Sequence, residues 1–134
     1  MKRLIPYILL LLAAPAAAQT HSLTVEVRGF KSTKGTVKLN IQNSTKQQVY
    51  QKVETLNATT WRHTITGLTP GKYAVNVIHD KNNNNKLDTN ILGIPKEGWG
   101  CSNDARGFMS APAFKDKLFD LNSNKTIIIN LVHY

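Results

Sequence analysis

Residues 67–79 read G-L-T-P-G-K-Y-A-V-N-V-I-H. The first five form the clearest turn in the chain. Pro70 fixes φ at the first corner of a type II turn, and Gly71 supplies the positive φ that the second corner requires. From Lys72 to His79 the pattern alternates, with Tyr73, Val75 and Val77 on one side. A period of two is that of a strand with one buried face. A proline-glycine turn feeding such a strand is all-β punctuation.

The same period recurs upstream. Ser22 to Gly29 places Leu23, Val25 and Val27 on one face, and Gly29 to Gly35 reads as a turn. Thr36 to Gln42 buries Val37, Leu39 and Ile41. Lys46 to Glu54 is a weaker strand around Val49 and Val53, and Thr60 to Thr66 aligns Trp61, His63 and Ile65. Downstream, Lys117 to Leu121 reads as a short strand and Lys125 to Val132 (K-T-I-I-I-N-L-V) as the last. Its apolar residues occupy both faces, which predicts a central strand covered on both sides. No segment after residue 18 has a helical period. The expected fold is a single all-β sandwich of about seven antiparallel strands over residues 19–134. One long loop, Asp80 to Asp116, separates the fifth strand from the C-terminal strands.

Before this domain stand Met1-Lys2-Arg3, an apolar run from Leu4 and a small-residue end at Ala16-Ala17-Ala18. That is the pattern of a signal peptide over residues 1–18, cleaved after Ala18. Pro6 and Pro15 break the run, which is shorter than the roughly 20 residues of a spanning helix. The expected location is periplasmic or secreted, with no transmembrane segment in the mature chain. The formal charge is +9, and it stays clearly positive after Lys2 and Arg3 leave with the leader. An anionic envelope surface, a polysaccharide or an envelope protein suits such a chain as partner. The lysines are nevertheless scattered, as on an ordinary solvated surface. Nucleic acid is not indicated, since no aromatic-basic stripe is present. One cysteine excludes an internal disulfide, so the fold stands on its core.

The long loop carries what chemistry there is. It opens H-D-K-N-N-N-N-K-L-D-T-N-I-L-G-I-P-K-E-G-W-G-C-S over residues 79–102. Asp80, Asn82, Asn84, Lys86 and Asp88 are spaced by two. Oxygens at positions 1, 3 and 5, a main-chain carbonyl at 7 and an oxygen at 9 are how one loop wraps a hard cation. These five are the candidate calcium ligands, and calcium is the one cofactor the sequence suggests. Two features depart from a full EF-hand. Asn85 stands where glycine is usual, although asparagine tolerates the left-handed conformation. Ile91 stands at position 12, where a bidentate glutamate belongs. The expected affinity is therefore weak, on the order of 10⁻⁴–10⁻³ M. The competing reading is an asparagine-rich turn held by its own side-chain to main-chain bonds.

Glu97, Trp99, Asp104 and Arg106 form a candidate binding surface, or else pack the glycine-rich half of the loop down. A carboxylate pair, Glu97 with Asp104, is the alternative hydrolase reading, directed at envelope glycans. His79 with Cys101 offers a thiolate pair in principle, but no third group orients it. The four histidines lack zinc spacing. The preferred expectation is a non-catalytic binding or structural module.

The loop motif, with S-N-D-A-R-G at 102–107 and A-P-A-F at 111–114, resembles a bacterial secreted family of unknown function, domain of unknown function 2141. G-L-T-P-G-K-Y-A-V-N-V fits the same family. The resemblance implies a small exported Ig-like or prealbumin-like (transthyretin-like) sandwich, with no established activity to transfer. That family tends to have glycine where Asn85 stands and an aromatic where Cys101 stands. The turn at Pro70-Gly71 also resembles the turn of carboxypeptidase-regulatory and related accessory sandwiches, a likeness of fold alone.

Overall fold

The computed structural model describes residues 13–14, 17–108 and 110–134. Most of the segment read as a signal peptide, residues 1–12 with Pro15 and Ala16, lies outside them. Among the described residues, eight strands form two sheets: β1 (His21–Arg28), β2 (Thr36–Asn43), β3 (Gln48–Thr55), β4 (Thr60–Leu68), β5 (Gly71–Asp80), β6 (Trp99–Cys101), β7 (Phe119–Leu121) and β8 (Lys125–Asn130). The first sheet has the order β4-β1-β8. The second has the order β3-β2-β5-β6, with β7 also on β5. No helix among the described residues is long and apolar enough to cross a membrane. The only α-helical turn among them is α1 (Phe114–Lys117).

The alternating residues meet between the sheets. Leu23, Val25 and Val27 of β1 face Val37, Leu39 and Ile41 of β2 and Tyr73, Val75 and Val77 of β5. Phe30, Trp61, Leu121 and Ile129 complete this core. Each such side chain contributes about 1.5–3 kcal/mol by leaving water. On the open side, β3 and β4 are joined by polar contacts. Tyr50 Oη lies 2.7 Å from His63 Nε2, and Trp61 Nε1 donates to Glu54 Oε2 at 2.7 Å. The His63 ring stacks between those of Tyr50 and Trp61, and its burial lowers its pKa. Val49 and Val53 point outward on the edge strand β3.

Two expectations about strands are corrected. The last strand is not central: β8 is an edge strand, and it runs parallel to β1 from Leu23↔Lys125 to Arg28↔Asn130. Only Ile129 is fully buried, while Ile128 is 42% exposed. Three successive isoleucines reflect strand propensity here rather than two covered faces. The positive φ of the 67–71 turn falls on Gly67 (φ +75°), while Gly71 has none and opens β5. Gly67 sits where the β1–β4 register slips, as in a bulge.

Between β4 and β5 the chain crosses from one sheet to the other. Tyr73 anchors this corner. Its hydroxyl donates to the Thr69 carbonyl at 2.6 Å, in the manner of a tyrosine corner. Tyr73→Phe keeps the ring and strands that carbonyl. We expect a loss of about 1–2 kcal/mol in urea unfolding with an unchanged slope. A loss near zero would mean that the corner is held by packing alone.

Candidate functional site

β5 ends in a buried carboxylate. Asp80 has no exposed surface. Its Oδ1 accepts from Asn84 N at 3.1 Å and its Oδ2 from Asn85 N at 2.7 Å. The next turns repeat the device. Asn82 Oδ1 accepts from Asn84 N at 3.3 Å, and Asn84 Oδ1 from Lys86 N at 3.0 Å. Asn83 and Asn85 take positive φ, 56° and 63°, which asparagine tolerates better than most residues. These hydrogen bonds are the side-chain to main-chain bonds expected of an asparagine-rich turn.

The inward groups meet at Asp88. Asn82 Nδ2 donates to its Oδ2 and Asn84 Nδ2 to its Oδ1, both at 2.6 Å. The oxygens of these amides accept from Asn84 N and Lys86 N, so turning an oxygen toward Asp88 takes half a turn of the amide and gives up that bond. Lys86 joins the loop through its main-chain N–H, which donates to Asn84 Oδ1, and its side chain is exposed.

A hairpin then reverses the chain. Asn90 Oδ1 accepts from Leu92 N and Ile94 N, Gly93 turns with φ +79°, and Thr89 bridges Pro95. Lys96 N donates to Asp88 O at 2.7 Å, so residue 97 returns beside residue 88. Glu97 is only 8% exposed, and it lines a small cavity beside His79 and Lys81. Its Oε2 accepts from Lys81 N at 3.1 Å. Its Oε1 is buried and has no hydrogen-bond partner, and its carboxyl stands within hydrogen-bonding reach of Asp88. Burial, then the neighbouring Asp88 carboxyl, push the Glu97 pKa up to about 7. Asp88 is held below its usual range by Glu97 first, then by Asn84 and Asn82. The ion pairs among the described residues lie elsewhere, Glu26 with Arg28 and Arg62, and Lys72 with Asp120. No three His, Cys, Asp or Glu side chains among the described residues gather closely enough to hold a metal unaided. A site here has to draw on amide and carbonyl oxygens as well, which is the habit of calcium.

The other predicted residues serve packing. Asp104 accepts from Asn130 N and Nδ2, at 2.9 and 2.8 Å, and so fastens the 3-10 turn Ser102–Asp104 to β8. It lines neither the small cavity beside Glu97 nor the larger groove, so Glu97 and Asp104 share no cleft. Arg106 donates to the carbonyls of Ala105 and Asn130 and lies 5.4 Å over the Trp99 ring. Trp99 is therefore a half-buried wall rather than an exposed platform. It borders a groove of about 750 Å³ with Leu87, Leu92, Ile94 and Pro112. Cys101 is buried, donates to Ala105 O at 3.3 Å, and burial pushes its thiol pKa up. It pairs with Asn76, on the face of β5 opposite to His79. The thiolate pair is not formed.

With this geometry in hand, the chain can be set against known proteins. A family described as "Uncharacterized protein conserved in bacteria (DUF2141)" matches residues 25–129. The chain belongs to DUF2141. The match takes in β2 to β7 whole, the second half of β1 and all but the last residue of β8, so the DUF2141 domain and the sandwich coincide. Neither curated proteins nor solved structures gave a match.

The sequence alone does not place Glu97 beside Asp88. Glu97 is the next acidic residue after Asp88, and the register of the hairpin brings it back there.

Proposed function

We propose that this DUF2141 domain is an exported, non-catalytic β-sandwich module of the cell envelope. Its 80–88 loop binds calcium weakly, and its Trp99 groove is offered to an envelope protein or polysaccharide. The observation that carries this reading is the meeting of Asn82 and Asn84 at Asp88, on a loop whose main chain is held by Asp80. The Asn82 and Asn84 side chains meet Asp88, while Asp80 holds the main chain of the same loop, and these main-chain bonds pre-form it. Pre-organisation matters because a loop already ordered gives up little entropy on binding. The leader pattern at residues 1–18 supports export, and the commitment of Asp104 to Asn130 supports a non-catalytic role.

Calcium at about 10 mM, roughly tenfold above the expected dissociation constant, should stabilise the purified protein by about 1.4 kcal/mol. That corresponds to a melting shift of roughly 5 °C in scanning calorimetry. Asp88→Ala should remove the shift and leave the far-ultraviolet spectrum of the sandwich intact. A wild-type protein whose melting point ignores calcium would reject the ion loop.

A further inference from the structure

We propose that Glu97 is the closing ligand of this loop, supplying from the returning arm of the insertion the carboxylate that Ile91 fails to provide at position 12. The inference rests on the calcium reading and specifies what completes the site.

The first support is the placement of the carboxyl. Lys96 N on Asp88 O and Lys81 N on Glu97 Oε2 fix Glu97 from both sides, against the two ends of the 80–88 loop. The second is the orphaned oxygen. Glu97 Oε1 is buried without a donor, and a buried acceptor left unpaired is costly. The Asp88 carboxyl interacts with the Glu97 carboxyl and is itself an acceptor when ionised. Two carboxyls facing each other at a point also reached by Asn82 and Asn84 are held together by a shared proton or by a cation. No ammonium or guanidinium group among the described residues pairs with either. A divalent cation satisfies Oε1, Asp88 and the amide oxygens together. The oxygens are mixed in type and carried on a loop, which suits calcium better than magnesium with its strict octahedron.

Such a ligand does more than raise affinity. Asp80–Asp88 and Asn90–Glu97 are the two arms of the insertion, and the groove takes residues from both, among them Leu87 and Ile94. An ion held by Asp88 and Glu97 clamps the arms at their base and so sets the width of the groove.

The test is calcium titration by calorimetry of the wild-type protein and of Glu97→Gln, joined to an amide NMR titration of the wild type. Glutamine keeps the size of the side chain and an oxygen for Lys81 N, but loses the charge. Glu97→Gln should bind calcium at least about tenfold more weakly, since ligand charge sets affinity in such loops. Without calcium it should melt no lower than wild type, because a buried like-charge contact has gone. A residue that merely packed would show the reverse, a lower melting point and unchanged affinity. In wild-type NMR spectra the amides of Glu97 and Gly98 should shift in step with those of Asn84 and Asn85. Unchanged affinity in Glu97→Gln, or calcium shifts confined to residues 80–88, overturns the proposal and leaves the ion loop standing. If Glu97→Gln does not fold, the NMR titration decides alone. Absence of any heat or shift in the wild type overturns the loop and this ligand together.

Discussion

Asp80→Ala should lower the stability of the domain by about 3 kcal/mol and abolish its response to calcium. Hydrogen bonds to a charged acceptor are worth roughly 1.5–3 kcal/mol each, and the Asp80 carboxylate accepts two, from Asn84 N and Asn85 N. Alanine leaves both donors without that acceptor and opens space at a position with no solvent exposure. The bonds on Asn84 N and Asn85 N start the loop, so the turns at Asn83 and Asn85 should loosen with them. Urea unfolding measures the first effect and calorimetric titration the second. A loss below about 1 kcal/mol would show that the insertion is held by its hairpin and not by the end of β5. Asp88→Ala makes a useful contrast. It removes an ion ligand from a less buried position, so it should cost calcium binding and little stability.

The second large effect belongs to Gly35, just before β2. Its φ is +83°, and a Cβ there would overlap the carbonyl oxygen of Asp80 and the backbone of Lys81. Its own carbonyl accepts from Leu56 N at 3.0 Å, so it cannot easily withdraw. Gly35→Ala should cost about 2–4 kcal/mol, adding backbone strain to displaced main chain. Gly67 is the control: its φ is +75°, but no atom lies within 4 Å of an added Cβ. Gly67→Ala should cost only the roughly 1–2 kcal/mol of the left-handed conformation. Equal losses in urea unfolding would remove the close approach as the cause. An added difference at Gly35 would tie the β1–β2 connection to the root of the ion loop.

These residues also mark how far the sequence can be read. Leu23, Val25 and Val27, or Tyr73, Val75 and Val77, announce buried faces because period two survives any sandwich topology. Which strands neighbour one another is not written in that period, and β8 was misplaced for this reason. Its three isoleucines satisfy a strand equally well at an edge, where Ile128 tolerates solvent. β6 went unread because Trp99-Gly100-Cys101 is too short to show a period, and its pairing with β5 depends on a long reversal. The ligand spacing at 80–88 was legible because it is local. Glu97 was not, because its role depends on the hairpin at Asn90–Ile94 closing in one register and bringing two distant carboxyls together.

The parallel pairing of β1 with β8 has a mechanical consequence. β1 enters the ladder at His21 while β8 leaves it at Asn130, opposite Arg28, so the two exits lie at opposite ends of one ribbon. Tension between these exits runs along the strands and puts every rung under shear at once, instead of peeling them one by one. Forced rupture is governed by the unfolding barrier, and simultaneous rupture raises that barrier. A domain pulled apart through these two exits would stretch last at this seam.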